Sequence, residues 1–173
     1  MADIPDQLTL KRNRDLEASR ELIGRRVGVV FVGAILVLGL LNLFGQRPRS
    51  STAAAAAARL KVYAPSRVRA GLYFEARFTI DAVRELKQAT LVLEPGWAEG
   101  ITINTVEPSP VGEASRDGKL VFELGHVPRG QSHIFFLQLQ VNPTNVGRRS
   151  QDVWLYDGDQ ELLHIDRSIT IFP

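Results

Sequence analysis

The feature that most constrains this chain is an uninterrupted apolar segment near its N-terminus. Residues 27–44 read VGVVFVGAILVLGLLNLF, with no charge and a single polar residue, Asn42. As a helix this segment is roughly 27 Å long, close to the roughly 30 Å hydrocarbon core of a bilayer. A buried helix of a soluble protein rarely stays apolar on every face over such a length. The sequence therefore predicts a transmembrane helix at residues 27–44.

Basic residues in the flanks bear on the orientation of such a helix. Six precede the segment and six lie in the equally long stretch after it, so their number does not decide. Arg25 and Arg26 abut the segment, however, and the shorter arm of the chain is N-terminal. Both facts favour a cytoplasmic N-terminus and an extracytoplasmic C-terminal domain on a single-pass cell-membrane protein. A cleaved signal peptide is the alternative, although its charged and apolar regions would both be long.

The two stretches that flank the segment differ in composition. Residues 1–26 mix six basic and five acidic residues, and they are interpreted as a juxtamembrane segment, with Thr9 capping a helix that continues to Arg26. Residues 45–58 read GQRPRSSTAAAAAA. Pro48 and the serines favour a loop, and an alanine run this short is marginal as a helix by itself. This stretch is predicted to be a Pro/Ser/Ala linker between the membrane and a domain at 59–173.

Composition excludes several classes of protein. A net charge of +2 is too small to indicate a nucleic-acid partner. The chain has no cysteine, which excludes disulfides, thiolate zinc sites and cysteine nucleophiles. An extracytoplasmic domain of about 110 residues can be held by its core alone. A domain of this kind without disulfides is typical of bacterial envelope proteins.

From Arg59 onward, apolar residues recur at every second position, which is the pattern of half-buried strands. The clearest strands run over Leu72–Ile80, Leu120–Leu124 and Phe135–Val141, and a last face includes Leu163 to Ile171 with Arg167 as a bulge. Shorter candidates begin at Leu60, Thr90, Ile101 and Val153. The pattern places Phe78, Phe122 and Leu139 in the core and points Arg77, Lys119 and Gln138 outward.

Turn residues separate these strands. Asp117-Gly118, Pro128-Arg129-Gly130 and Asp157-Gly158-Asp159 each lie between two apolar runs. About eight short strands with regular turns and no strong helix are typical of an antiparallel β-sandwich. The fold class is therefore predicted to be mainly β, preceded by one transmembrane helix.

Three stretches of the domain carry a family resemblance. They are VRAGLYFEARFTIDA at 68–82, LEPGW at 93–97 and DGKLVFELGHVPRGQSHIFFLQLQVNPTNVG at 117–147, followed by the DGD hairpin. Together they resemble bacterial immunoglobulin-like modules of the CARDB and DUF11 type, over roughly residues 60–173. The resemblance implies an immunoglobulin-like sandwich. Single membrane-tethered copies resemble accessory or adhesion-related envelope proteins.

Motifs for catalysis or metal binding are not evident. The sequence contains no G-x-S-x-G motif, and its histidines, His126, His133 and His164, lie on strand ends or on a strand. Asp157, Asp159 and Glu161 alternate, but the later ligands of a calcium loop are missing. The protein is therefore predicted not to be an enzyme, with no cofactor and no metal.

Two functions fit this description. The first is a non-catalytic domain that contacts another envelope or membrane protein, which requires an exposed apolar patch or an unpaired sheet edge. The alternative is a carbohydrate- or cell-wall-binding module. Its candidate ligand-contact residues are Trp97, Trp154 and Tyr156, and it requires Trp97 or Trp154 to be exposed on one flat face. Homo-oligomerisation is left open by the sequence.

Overall fold

A computed structural model describes the backbone of residues 10–41 and 45–173 and the side chains of residues 22–41 and 45–173. The chain divides into two compact units, residues 1–43 and residues 44–173. The first contains the apolar helix, and the second contains the strands.

The first unit contains a 31-residue helix, α1, over Leu10–Leu40. Within it, the 19 residues Leu22–Leu40 are long and apolar enough to cross a membrane, and none of them is buried. This stretch is about 28 Å long. A membrane anchor and a signal sequence both meet that description. The predicted segment at 27–44 agrees with the helix up to Leu40, while Thr9 and residues 42–44 lie outside the described residues.

The second unit is mainly β. Its described residues form thirteen strands and one 3-10 turn at Pro95–Trp97. The strands are β1 (Pro48–Ala54), β2 (Ala58–Pro65), β3 (Arg67–Arg69), β4 (Tyr73–Ala82), β5 (Leu86–Leu93), β6 (Ile101–Glu107), β7 (Gly112–Arg116), β8 (Lys119–Val127), β9 (Ser132–Val141), β10 (Gly147–Ser150), β11 (Val153–Asp157), β12 (Gln160–Ile165) and β13 (Ser168–Phe172).

These strands form three sheets. Sheet A has the order β1-β2-β4-β9-β6, sheet C has the order β12-β11-β5-β8-β7, and the short sheet B has the order β10-β13-β3. Neighbouring strands are antiparallel, except that β13 and β3 are parallel. The predicted hairpins at Asp117-Gly118 and Asp157-Gly158 are present, between β7 and β8 and between β11 and β12.

A single core joins the sheets. Phe78, Phe122 and Leu139 are all buried, as the alternation predicts. The ring of Phe122 in sheet C lies 5.1 Å from the ring of Phe135 in sheet A, so the apolar faces of the two sheets meet. Of the predicted outward residues, Arg77 and Gln138 are exposed and Lys119 is half-buried. Leu72, which the same alternation places on the apolar face, is exposed because β4 begins only at Tyr73.

The prediction of a linker over residues 45–58 is wrong for most of that stretch. Residues 48–54 form β1, the edge strand of sheet A, and pair with β2 along their whole length. Gln46 also donates a hydrogen bond of 2.7 Å to the carbonyl of Tyr73. Small side chains such as Ala53, which packs against the core, are compatible with a strand whose stability comes from backbone pairing. The folded domain therefore begins before Arg59.

The predicted bulge at Arg167 is a change of sheet. Strand β12 belongs to sheet C and strand β13 belongs to sheet B, with Arg167 between them. The preceding strands behave in the same way, because β10 lies in sheet B and β11 in sheet C. Where the two segments change sheet, the backbone amide of Gln151 donates a 2.9 Å hydrogen bond to the backbone carbonyl of Arg167. Two adjacent segments thus pass together from one sheet to the other.

Candidate functional site

Trp97 lies in the core and offers no surface to a ligand. The Pro95–Trp97 turn directs its ring inward, where it is wholly buried and lies 5.4 Å from the ring of Phe78. On another side, the guanidinium carbon of Arg167 is 5.0 Å from the indole centroid. The expectation that Trp97 contacts a ligand is therefore wrong, because the side chain has no exposed surface. A large aromatic ring stabilises a fold most when it is buried in the core.

Trp154 lies on the outer face of sheet C, where it is half-buried. The imidazole of His164, its partner on β12, stacks on the indole at 4.7 Å with an angle of 3° between the rings. The Nζ atom of Lys119, from β8, lies 3.8 Å from the same ring centroid. Strands β12 and β8 lie on opposite sides of β11, so the indole is flanked on both sides by protein groups. This ring is not a free stacking platform.

Tyr156 contributes to an open pocket on the same face, which we call the tyrosine pocket. Its volume is about 320 Å³. Its residues come from β5, β7, β8 and β11 and from the turns that follow β7 and β11. They are Thr90, Val92, Arg116, Asp117, Lys119, Val121, Tyr156, Gly158 and Asp159. The pocket therefore combines one aromatic ring with two valines, two cations and two carboxylates.

The phenol of Tyr156 is oriented by a carboxylate. Its hydroxyl donates a 3.1 Å hydrogen bond to Oε2 of Glu161. Burial, that hydrogen bond and the negative charge of Glu161 together raise the pKa of Tyr156 above its ordinary value. The phenol consequently stays neutral at physiological pH and can act in this pocket as a hydrogen-bonding aromatic ring.

The outer face of sheet A carries a second cluster, which we call the aromatic face and define as Tyr63, Arg77, Ile134 and Phe136. Tyr63, Arg77 and Phe136 are paired across three neighbouring strands. The guanidinium carbon of Arg77 lies 5.9 Å from the ring of Tyr63 and 5.1 Å from the ring of Phe136. Its position is also fixed by an ion pair of 3.3 Å with Glu75. The aromatic face is therefore ordered by cation–π contacts and a carboxylate.

Ile134 extends the aromatic face toward solvent. It lies two residues before Phe136 on the same side of β9, and it is 43% exposed, as Tyr63 is 40% exposed. Sequence reasoning did not identify this cluster as a site. The alternation that points Arg77 outward also points Tyr63, Ile134 and Phe136 outward, but only the strand order β2-β4-β9 makes them neighbours. The signal was present in the sequence as outward-facing apolar residues.

The histidines do not converge on one centre. His126 Nε2 lies 2.8 Å from Glu85 Oε1, and His164 Nε2 lies 3.5 Å from Asp166 Oδ1. Among the described residues, Asp152, His164 and Asp166 have candidate ligand atoms within 4.8 Å of one another. Asp152 Oδ1 already accepts a 2.8 Å hydrogen bond from the amide of Arg167. Exposed groups of this kind are common without a metal, so we assign them no metal-binding role.

Comparison with known proteins adds little. No protein-family model and no curated protein matches the chain. The chitin-binding domain of a hyperthermophilic chitinase from Pyrococcus furiosus is 15% identical, with a TM-score of 0.41, over 65% of this chain and 98% of that chain. Spo0M, a sporulation control protein from Bacillus subtilis, is 13% identical, with a TM-score of 0.37, over 69% of this chain and 51% of that chain. Likenesses at these TM-scores assign neither a family nor a function.

Proposed function

We propose that this chain is a single-pass membrane protein with a cytoplasmic N-terminus and an extracytoplasmic immunoglobulin-like β-sandwich. The apolar stretch Leu22–Leu40 supports the anchor. Arg25 and Arg26, near its N-terminal end, support the orientation because basic residues are retained on the cytoplasmic side. Two five-stranded sheets that share one core support the sandwich.

The role of this domain is non-catalytic contact with another envelope or membrane protein, through the aromatic face. The observation that supports this role is the placement of Arg77 between Tyr63 and Phe136, beside the exposed Ile134. Tyrosine, phenylalanine and arginine are enriched at protein interfaces, and tyrosine and arginine dominate binding energies there. A monomer exposes few such clusters unless they meet a partner.

The aromatic face is suited to a protein partner with an apolar centre and a polar rim. The guanidinium of Arg77 is already held by Glu75 and by two aromatic rings in the unbound domain. Binding of a partner therefore costs little side-chain conformational entropy. Polar residues surround the apolar centre, including Lys61, Thr79 and Gln138 on the same face. Such a rim provides hydrogen bonds around the contact.

Site-specific crosslinking tests this role. A photoreactive residue at Ile134 of the full chain, in native membranes, is expected to give one discrete adduct. The same residue at Ser115, exposed on β7 of sheet C, is the control and is expected to give none. The charge-reversing change Arg77→Glu should remove the adduct without unfolding the domain. Equal adducts from both positions, or an adduct that survives Arg77→Glu, would contradict the role.

Protease accessibility tests the orientation. Protease added to intact spheroplasts is expected to digest the β domain and to spare residues 1–26. If the β domain is cut only after lysis, the proposed orientation is wrong, and the crosslinking result would then refer to a cytoplasmic partner.

A carbohydrate- or cell-wall-binding module is the second candidate. The specific observation in its favour is the tyrosine pocket, where the ring of Tyr156 lies beside Val92 and hydrogen-bonding groups of Thr90, Asp117 and Asp159. Titration with chitin and peptidoglycan oligosaccharides, followed by tryptophan fluorescence, tests it. Saturable binding that Tyr156→Ala removes and Tyr63→Ala leaves intact would favour this module over the protein-binding role.

A further inference from the structure

A second open pocket lies on the side of the domain formed by sheet B and the edge strand β1, and we call it the arginine pocket. Its volume is about 330 Å³. Strands β1, β3, β10 and β13 and the residues beside them contribute its lining. The lining residues are Arg49, Ser51, Ser66, Arg67, Arg148, Asp166, Arg167, Ser168 and Thr170. Four of these nine are arginines, and four carry hydroxyl groups.

The sheet register explains how distant arginines meet there. Thr170 on β13 pairs with Arg148 on β10 on one side and with Arg67 on β3 on the other. The two arginines therefore stand in one row across the sheet, with the threonine hydroxyl between them. The amide of Thr170 also donates a 3.0 Å hydrogen bond to the carbonyl of Ser66, which fixes the segment before β3 against β13. Arg49 enters from the neighbouring strand β1.

The charge of the arginine pocket is not balanced within the domain. Among the described residues, no carboxylate lies within ion-pair distance of Arg49, Arg67, Arg148 or Arg167. The single acidic residue of the lining, Asp166, has its carboxylate 3.5 Å from Nε2 of His164. Like charges that share a concave site repel one another, and an anion relieves that repulsion.

Arg167 is one of the residues that line the arginine pocket, and most of its guanidinium group is buried. Its Nη2 atom donates to the carbonyls of Ala64 and Pro65, at 3.4 and 3.3 Å. Its Nε and Nη1 atoms are buried without a protein acceptor. Burial lowers the pKa of this guanidinium to about 10, which still leaves it charged at neutral pH. The Nε and Nη1 groups face the protein interior and are not available to a ligand, but the buried guanidinium adds a positive charge beside the pocket, and attraction to that charge favours a bound anion.

The hydroxyl groups complete the chemistry. Nε of Arg148 donates a 3.1 Å hydrogen bond to Oγ of Ser168. That hydroxyl, together with those of Ser51 and Thr170, can donate its own proton to an oxygen atom in the pocket. Guanidinium forks combined with hydroxyl donors match the several anionic acceptor oxygens of a phosphate group, whereas a neutral sugar lacks the negative charge and an amine lacks both the charge and the acceptor oxygens.

We propose that the arginine pocket is a binding site for a phosphate group, carried either by a phospholipid headgroup or by a free phosphate anion. The site is separate from both the aromatic face and the tyrosine pocket. The headgroup source rests on the proposed membrane anchor. In the sequence, Arg49 lies only five residues after the predicted transmembrane segment at 27–44. The free-anion source does not depend on the anchor.

Titration with inorganic phosphate tests the site. Full-length protein in neutral detergent micelles is titrated at constant ionic strength, and binding is followed by calorimetry and by the thermal midpoint. The double variant Arg67→Gln/Arg148→Gln is expected to bind about tenfold or more weakly, because hydrogen bonds to charged groups are lost. The control Arg84→Gln/Arg129→Gln removes the same charge from exposed positions outside the pocket, and its affinity should be unchanged.

Three outcomes overturn the proposal: the wild type binds no phosphate, the pocket variant binds as well as the wild type, or the control loses as much affinity as the pocket variant. Circular dichroism of the double variant checks that the fold is retained. Should the double variant not fold, the single change Arg67→Gln, at an exposed side chain, replaces it and must still weaken binding.

Bilayer composition separates the two sources of phosphate. The full chain is placed in nanodiscs of phosphatidylcholine alone or of phosphatidylcholine with phosphatidylglycerol, whose headgroup is anionic. If an anionic headgroup occupies the pocket, phosphatidylglycerol raises the thermal midpoint of the wild type, but not of the pocket variant, and added phosphate then has no further effect. If the ligand is free phosphate, its effect on the midpoint is as large in both bilayers as in detergent micelles. An effect that is seen in micelles and in neither bilayer would mean that the phosphate of phosphatidylcholine also occupies the pocket.

Discussion

The guanidinium carbon of Arg167 lies 5.0 Å from the centroid of the buried indole of Trp97. This contact joins the turn after β5 to the point where the chain passes from β12 in sheet C to β13 in sheet B. Arg167 and Trp97 are 70 positions apart in the sequence. Arg167 thus serves the core on one side and faces the arginine pocket on the other.

Replacing Arg167 tests how much this side chain stabilises the folded domain. In phosphate-free buffer, Arg167→Ala should lower the free energy of unfolding by about 2 kcal/mol, because it loses the contact with Trp97 and two hydrogen bonds to carbonyl groups. Arg167→Lys should recover part of this loss, since it keeps the charge and lacks the fork. Urea unfolding measures both. A change below about 0.5 kcal/mol for alanine would show that the contact does not stabilise the domain.

The core is tested by Phe78→Ala. Phe78 has no exposed surface, and its ring lies 5.4 Å from Trp97 and 6.1 Å from Phe135. Removing a ring from a packed core typically costs about 3–5 kcal/mol. Gln138→Ala, at an exposed position on the outer face of β9, should cost less than about 0.5 kcal/mol. If the two variants unfold at the same denaturant concentration, the assignment of inward and outward faces is wrong.

Lys119 is expected to behave differently from other outward residues. Its Nζ atom lies 3.8 Å from the ring of Trp154 and 3.6 Å from Oε2 of Glu94. Alanine at this position should therefore cost about 1 kcal/mol, mostly from the cation–π contact. Arginine should retain much of that stability because it also stacks on indole rings. Thermal midpoints compared with those of Gln138→Ala provide the measurement, and identical midpoints for the two alanine variants would contradict the expectation.

Truncation tests whether strand β1 belongs to the folded domain. A fragment that starts at Gly45 keeps the whole of β1, and a fragment that starts at Arg59 removes it and exposes the edge of β2. The shorter fragment should be β-rich by circular dichroism, but it should unfold at a lower temperature and associate more readily, since a new sheet edge is exposed. Equal thermal midpoints would show that residues 45–58 act as a linker after all.

His133 makes stability depend on pH. It lies on the inward side of β9, and burial lowers its pKa from the ordinary value near 6.5. The unfolded chain therefore takes up a proton at this site as pH falls through about 6.5, while the folded domain resists doing so. That difference lowers stability on acidification.

The change His133→Gln removes this titration. Its thermal midpoint should fall less than that of the wild type when the pH is lowered from about 7.5 to about 5.5, the range in which an unperturbed histidine titrates. Differential scanning calorimetry at several pH values measures the slope. An unchanged slope would assign the acid sensitivity to other groups.

Period-two alternation was enough to find most long strands and their buried side. Phe78, Phe122 and Leu139 are buried because each lies in the middle of a strand with one apolar face. The same reasoning did not find β1, β3, β7 or β10, which are short or rich in small and polar residues. Their backbone is held by neighbouring strands, and such pairing leaves little trace in side-chain pattern.

The sequence by itself determined the apolar helix, the mainly β class of the remainder and the inward face of each long strand, because these depend on the hydrophobicity of residues close in the chain. Only the tertiary structure decided the sites. It buried Trp97, covered both sides of Trp154 and placed Arg67 and Arg148 in one row with Thr170. Those outcomes depend on strand order and register, which are set by pairing between distant segments and are not encoded in local periodicity.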